Sequence, residues 1–259
     1  MAEWIFPFGE TVQMVVQQDR TQKRVFVLGV YASAVHARWV LADGSTAVSA
    51  LAVASEPCIF WRGDGAEEII GRIEVPPELG GLRPAAPELN GPSGKALDEM
   101  FLGPLGVTRE AAWLCDLIPH ACLNAGQRKA IEREYVPRRC EFRLPEVTVP
   151  AVPTSVTDER RREIMAEIAE ADPEVVVLLG DRPIRWFLQH FDSRWQRLSD
   201  FGEEGGSYGR LHSVCLAGKP RNVLPLVHPR QAARLGAHSE RWSKLHQAWV
   251  EDGVAKRLI

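Results

Sequence analysis

Four short runs of apolar residues mark the chain, and each run ends abruptly at glycine, proline or a polar residue. They occupy residues 25–28, 112–117, 175–179 and 223–227. Nearly continuous runs of β-branched residues and leucine are typical of strands that are buried on both faces, as in parallel sheets. We therefore predict that these four runs are strands of one parallel sheet.

Helical periodicity fills the segments that separate the runs. Thr157 can cap a helix that Pro173 ends just before the third run. A second helix follows the fourth run, with Ser239 as its predicted cap. The apolar residues that repeat at helical spacing on its predicted core face are Trp242, Leu245 and Trp249. Strands that alternate with helices indicate a doubly wound α/β sandwich.

The alternation is interrupted between residues 40 and 88. Asp43-Gly44 lies between two apolar stretches and signals a hairpin, Asp64-Gly65 is a second turn signal, and residues 75–92 are rich in proline and glycine. We interpret 40–88 as an insertion within a single domain that spans residues 1–259.

Ligands of such sandwiches bind at the carboxyl ends of the parallel strands. The residues that follow the four runs are therefore the candidates for function. They are Gly29 to Ser33, Asp116 with Ile118 to His120, Gly180 to Arg182, and His228 to Arg230. We expect Gly29, Asp116, Gly180 and His228 to lie at one edge of the sheet.

Charge and composition exclude several classes of protein. The 259 residues include 31 Lys and Arg against 34 Asp and Glu, so no global positive field marks a nucleic-acid-binding protein. The first residues lack the pattern of a signal peptide, and no apolar window approaches the length of a membrane span. Five cysteines without C-x-x-C spacing suit reduced thiols. We expect a cytoplasmic protein without membrane contact, disulfide framework or metal site.

Two familiar chemistries fit the strand ends poorly. The first strand end carries one glycine, whereas a dinucleotide-binding turn needs G-x-G-x-x-G. Ser33 could act as a nucleophile with His228 and either Asp181 or Asp116, but both neighbours of Ser33 are alanine, and the strained nucleophile turn needs glycine there. We expect neither a dinucleotide site nor an acyl-transfer triad.

Four motifs, taken in order, resemble the uracil-DNA glycosylase superfamily, particularly its short bacterial and archaeal branches. They are GVYAS at 29–33, LNGPSGKALDEMFLGPLGVTREAAWLCDLIPHAC at 89–122, EIAEADPEVVVLLGDRPIRWFL at 167–188, and VLPLVHPRQAARL at 223–235. The resemblance implies a three-layer α/β/α sandwich around a four-stranded parallel sheet. It also implies an enzyme that flips a damaged base out of DNA and hydrolyses its N-glycosidic bond.

The resemblance assigns the catalytic positions to His228 and Tyr31. His228 matches the histidine that stabilises the departing base's oxygen in relatives. Tyr31 or Val30 falls where relatives place an Asp, Asn or Glu that positions the attacking water. Because a tyrosine hydroxyl has a pKa of about 10 and valine has no acid group, catalysis would depend on electrostatic stabilisation of the departing base.

The base-binding positions implied by the resemblance are Asp116, Leu89, Asn90 and Ala32. Asp116 replaces the asparagine that reads the uracil edge in relatives. An ionised carboxylate only accepts hydrogen bonds, which disfavours the O4 carbonyl of uracil. Leu89 lies near the position of a stacking phenylalanine and lacks the aromatic face, which contributes about 1–3 kcal/mol per base.

DNA is the implied partner, and its phosphates are expected at Ser33 and Arg230. Local basic stretches support this expectation, because residues 127–143 and 228–259 each contain six basic residues against three acidic ones. The close branch holds an iron–sulfur cluster on four cysteines, two of them near the N-terminus. Here the first cysteine is Cys58, so we expect no cluster, no other cofactor, and a monomer.

Three functional hypotheses remain open on the sequence. The leading one is a DNA glycosylase. The second is a catalytically inactive module of the same fold, which binds nucleic acid or a nucleotide. The substitutions at Tyr31 and Asp116 favour this second hypothesis, whereas the retained histidine motif favours the first. An unrelated α/β hydrolase is the third.

Overall fold

The computed structural model describes residues 3–202, 206–235 and 239–258. Its strands are β1 Val25–Tyr31, β2 Ala34–Val40, β3 Thr46–Ser55, β4 Gly81–Pro84, β5 Ala112–Ile118, β6 Val175–Leu179, β7 His212–Leu216 and β8 Lys219–Leu226. Its α-helices are α1 Ala66–Gly71, α2 Pro92–Leu97, α3 Gly103–Leu105, α4 Ala125–Ala130, α5 Val136–Arg139, α6 Asp158–Ala171, α7 Asp181–Trp186, α8 Pro229–Ala232 and α9 Ser239–Glu251.

Shorter helical turns join these elements. Two π-helical turns, Asp98–Leu102 and Ile131–Tyr135, link α2 to α3 and α4 to α5. The 3₁₀ turns are Pro7–Gly9, Pro77–Leu79, Pro87–Leu89, Arg109–Ala111, Leu188–His190, Leu198–Phe201 and Ala255–Arg257. No helix within the described residues combines the length and the apolar character that crossing a membrane requires.

The chain divides into two compact units. The first contains residues 1–15, 31–92 and 119–154, and the second contains residues 16–30, 93–118 and 155–259. The interpretation of 40–88 as an insertion in a single domain remains a prediction.

A five-stranded sheet in the order β5-β1-β6-β8-β7 forms the centre of the second unit. β1, β6 and β8 run parallel, with Val25 opposite Val175 and Val176 opposite Val223. All five residues of β6 are buried, as its unbroken apolar run predicts. Helices flank this mostly parallel sheet, which confirms the predicted α/β architecture.

The fifth strand corrects the expectation of a four-stranded parallel sheet. β7 pairs antiparallel with β8, and the turn at Ala217 and Gly218 joins them with positive φ angles of 52° and 74°. β8 consequently begins at Lys219, four residues before the predicted run. Alternate residues of β7 are buried, so its sequence lacks the continuous apolar run that marked the other strands.

The predicted helix cap at Thr157 is confirmed, since its side chain accepts the N–H of Arg160 at 3.1 Å. Ile164 and Ile168 of α6 are fully buried, and the helix ends at Ala171 before Asp172 in the left-handed conformation. α9 begins at Ser239 itself, so the residue that would cap it lies outside the described residues. The predicted core face of α9 is buried at Trp249 and half-buried at Trp242 and Leu245.

A three-stranded antiparallel sheet in the order β3-β2-β4 lies in the first unit. The predicted hairpin at Asp43-Gly44 joins β2 to β3, and the Leu41 N–H donates to the Ser45 carbonyl at 2.8 Å. Trp39 is fully buried in the core beside Tyr135 and donates through Nε1 to the Leu79 carbonyl at 2.8 Å.

Candidate functional site

Three parallel strands of the second unit end at the same edge of the sheet, so their following residues lie side by side there. Within this unit β1 reaches Val30, β6 leads into Gly180, and β8 leads into His228. The Gly180 N–H donates to the Leu226 carbonyl at 2.8 Å, which ties the end of β6 to the end of β8. This edge is the candidate site.

Gly180 allows the backbones of β6 and β8 to converge at this edge. Its φ of +86° is a conformation that side chains disfavour. A Cβ on Gly180 would stand only 3.2 Å from the Cβ of His228, which is closer than ordinary packing allows. A glycine at position 180 therefore leaves room for the histidine.

His228 caps the short helix α8 and is held in one orientation by it. Its Nδ1 accepts the backbone N–H of Arg230 at 3.2 Å, and Pro229 occupies the first helical position. Because Nδ1 accepts a hydrogen bond, the proton of the neutral ring is on Nε2. The ring is therefore set to donate through Nε2.

Desolvation and nearby positive charge keep His228 neutral. Burial of the ring, followed by the charges of Arg230 and Arg182, lowers the pKa of His228 to about 4. Arg182 lies in the first turn of α7, directly after Gly180 and Asp181. At physiological pH the imidazole is thus an uncharged hydrogen-bond donor beside two guanidinium groups.

This geometry differs from that of a serine hydrolase. In a catalytic triad a carboxylate accepts the Nδ1 proton of the histidine. Here Nδ1 is itself an acceptor, and Asp181 instead accepts the backbone N–H of Leu198 at 2.8 Å. The arrangement therefore supports the expectation that Ser33, His228 and Asp181 do not form a triad.

Asp116 lies near the end of β5 and is only 3% exposed. The backbone N–H of Val30 donates to its carboxylate, so the side chain reaches the end of β1. Burial raises the pKa of Asp116 to about 7, against the opposing effects of the Arg160 charge and the Val30 hydrogen bond. Both protonation states of the carboxyl group are therefore accessible near neutral pH.

Arg160 of α6 fixes the backbone that carries Asp116. Its Nη2 donates to the Asp116 carbonyl at 2.8 Å, and its Nε donates to the Leu117 carbonyl at 3.2 Å. The guanidinium also pairs with Glu163 and Glu167 of its own helix. Sequence reasoning missed Arg160, because nothing in the pattern of α6 distinguishes it from the neighbouring Arg161 and Arg162.

The remaining predicted residues belong to the first unit, apart from Arg230. Tyr31 is half-buried at the end of β1, and Ala32 is fully buried. Ser33 is half-buried, and its Oγ lies 3.5 Å from the Ala34 carbonyl. Leu89 ends the turn Pro87–Leu89 and is half-buried. The functions assigned to these residues stay predictions.

Asn90 has a structural role that the sequence did not reveal. Its Oδ1 accepts the His36 N–H at 2.8 Å, and its Nδ2 donates to the His36 carbonyl at 2.9 Å. The side chain is only 4% exposed. Because the His36 backbone of β2 already uses both ends of the amide, a bound base would have to compete with these two hydrogen bonds.

The five cysteines differ in their exposure to solvent. Cys58, Cys140 and Cys215 are exposed, whereas Cys115 and Cys122 are buried. Among the residues that the structure describes, no three side chains of His, Cys, Asp or Glu are grouped so that they could hold a metal ion.

Comparison with known proteins identifies the family of the chain. A search of curated proteins finds no match to the chain. A family model, that of the uracil DNA glycosylase superfamily, matches residues 88–249. The matched range holds β5, β6 and β8 with Asp116, Gly180 and His228, while Tyr31 lies before it. This match spans more than half of the sequence, and the chain therefore belongs to the uracil-DNA glycosylase superfamily.

Proposed function

We propose that this protein is a DNA glycosylase that draws a damaged or deaminated base to the carboxyl edge of the five-stranded sheet and hydrolyses its N-glycosidic bond. The observation that carries the proposal is the state of His228. A neutral imidazole with its proton on Nε2, held through Nδ1, suits a donor that stabilises negative charge on a departing base.

In the proposed reaction, water attacks C1′ of the nucleotide while the bond between C1′ and the base nitrogen breaks. The bonding electrons leave with the base as an anion. The proton that the water loses passes through solvent to that anion, which gives the neutral base and the abasic sugar. His228 donates a hydrogen bond to the base oxygen on which charge develops. Arg182 and Arg230 add positive potential at the same place, which favours the anionic leaving group.

The end of β1 offers no carboxylate or amide to the attacking water. Tyr31 and Val30 occupy the positions where a carboxylate or amide would be expected, so we propose that Tyr31 contributes a hydroxyl that positions the water without removing its proton. Most of the rate enhancement then comes from stabilising the departing base. Flipping the base costs a few kcal/mol, which contacts in the pocket must recover.

We propose that Asp116 faces the edge of the bound base. A pKa of about 7 lets the Asp116 carboxyl be either a donor or an acceptor near neutral pH. Base preference would therefore depend on the protonation of one side chain.

The test is a panel of oligonucleotides that carry uracil, hypoxanthine, xanthine or mismatched bases, in single-stranded and double-stranded form. Base release leaves an abasic site, which is then cleaved with alkali and resolved on a gel. Release of at least one base by the wild type supports the proposal. Tight binding to DNA without release of any base would identify the protein as a binding module with the same fold.

Arg230 is our proposed phosphate contact, and its removal should change how DNA affinity depends on salt. Arg230 is exposed, and no carboxylate among the described residues forms an ion pair with it. Arg230→Ala should weaken binding similarly for every base and lower the slope of log affinity against log salt by about 0.7–0.9. Affinity measured by fluorescence anisotropy over a salt series checks this.

The control for this charge is Arg24→Ala, at the amino end of β1 and therefore at the opposite edge of the sheet, where Arg24 pairs with Glu174. Its salt slope should match that of the wild type. If Arg230→Ala also leaves the slope unchanged, Arg230 does not contact a phosphate.

A further inference from the structure

A chain of buried hydrogen bonds runs through the second unit and ends next to His228. The Val227 N–H donates to Oη of Tyr208 at 3.1 Å, Tyr208 Oη lies 2.8 Å from Nδ1 of His246, and Nε2 of His246 lies 2.8 Å from the Met100 carbonyl. Tyr208 is 2% exposed, and His246 and Val227 are fully buried. Neither Tyr208 nor His246 has a part in the proposed chemistry.

Every proton in this chain has a determined position. The Met100 carbonyl can only accept, so Nε2 of His246 carries the proton. Burial lowers the pKa of His246 to about 4, so the ring is neutral and its Nδ1 must accept. The Tyr208 hydroxyl therefore donates to His246, and its oxygen is left to accept from Val227. The chain can form with only one orientation of its donors.

The surroundings of His246 hold that orientation. The Phe101 ring packs against the imidazole at a tilt of 31° with a centroid distance of 4.2 Å, and the Trp249 ring lies 5.2 Å away. Met100 belongs to the π-helical turn Asp98–Leu102, in which carbonyls lose the regular α-helical pattern of partners. His246 thus links this π turn to the loop of Tyr208 and to the end of β8.

Three consecutive residues at the end of β8 are held by specific hydrogen bonds. The Leu226 carbonyl accepts from Gly180, the Val227 N–H donates to Tyr208, and Nδ1 of His228 accepts from Arg230. The contact of Tyr208 joins this segment to α9 through His246. If it is lost, a buried N–H loses its acceptor immediately before His228.

We propose that Tyr208 and His246 are positioning residues, which fix the backbone at Val227 and thereby hold the His228 ring at the place and in the tautomer that base release needs. This inference rests on the proposed glycosylase function for its kinetic part. Its structural part, the effect on the His228 ring, can be measured whether or not the protein releases a base.

The test is Tyr208→Phe, which removes the acceptor of Val227 and the donor to His246 while keeping the aromatic ring. We expect single-turnover base release to slow about 10-fold, because small displacements of a catalytic group are costly. DNA affinity should stay within about twofold of the wild type. In ¹⁵N spectra of labelled histidine, His228 should change from a single Nε2–H tautomer to a mixture of both.

Tyr135→Phe is a matched control in the first unit. The Tyr135 hydroxyl also accepts a backbone N–H, from Phe8, and donates to a carbonyl, that of Pro145, both at 3.1 Å. None of these partners adjoins a candidate site residue. The control should lose thermal stability as Tyr208→Phe does, yet keep the rate of base release and the His228 spectrum of the wild type.

A second variant, His246→Gln, keeps an N–H donor for the Met100 carbonyl but removes the Nδ1 atom that accepts the Tyr208 hydroxyl. It should therefore give the same spectral change. If Tyr208→Phe and His246→Gln lower only thermal stability and leave the His228 tautomer unchanged, the positioning role is wrong. A wild type that releases no base would instead count against the proposed function, while the spectra would still decide the role of Tyr208 and His246.

Discussion

Replacement of His228 by alanine should slow single-turnover base release by about 10²–10³-fold, the loss expected when one donor to a developing oxyanion is removed. The reason is the state of the ring, which is neutral and donates through Nε2. DNA affinity should change much less, because the ring acts on charge that appears only as the bond breaks. Single-turnover assays with enzyme in excess, together with binding measurements, check both parts.

A matched control is His190→Ala, since His190 is an exposed histidine of the same unit at the end of the turn Leu188–His190. It should release base at the wild-type rate. Undiminished release by His228→Ala would remove His228 from the mechanism, and the observation on which the proposed function depends would no longer support it.

The sequence predicted the site-bearing strands because they are buried on both faces. β6 was predicted at its observed bounds, since Val175 to Leu179 is an uninterrupted apolar run. The same rule missed β7, an edge strand in which His212, Ser213 and Cys215 remain at least partly exposed. A better signal for β7 was the Ala-Gly turn before β8, which suits the positive φ angles of a tight hairpin.

The motif order pointed to Asp116 and His228. His228 directly follows an apolar run, Asp116 lies near the end of another, and the ends of parallel strands meet at one edge of the sheet. Other features depend on contacts between residues far apart in the chain. Asn90 pairs with His36 across 54 positions, and Tyr208 meets His246 across 38 positions. No local pattern encodes such pairs, so the sequence alone suggested a base contact for Asn90 and gave no role to Tyr208.

Asp116→Asn should change how uracil release depends on pH. The pKa of Asp116 is raised to about 7, so the carboxyl is protonated below that pH and offers a donor to the O4 carbonyl of uracil. As pH rises through about 7, the group ionises, the donor is lost and two acceptors face one carbonyl. Wild-type uracil release should therefore fall with rising pH. Asparagine keeps its N–H donor at every pH, so the variant should release uracil more evenly.

The expected difference in the rate of uracil release follows from the hydrogen bond that is lost in the wild type and restored in the variant. A mismatch of about 1–3 kcal/mol in a dry pocket corresponds to roughly 5- to 150-fold in rate, so Asp116→Asn should exceed the wild type by that factor well above pH 7 and approach it below pH 6. Single-turnover rates from pH 5.5 to 9 measure this difference. The control is Asp181→Asn, which changes another carboxylate at the same edge.

Two results would contradict base reading by Asp116. Uracil release that is independent of pH and unaffected by the change would make Asp116 a structural carboxylate that only ties β5 to Val30. Loss of release at every pH would instead assign Asp116 the proton transfer that the residues at Val30 and Tyr31 are unsuited to perform.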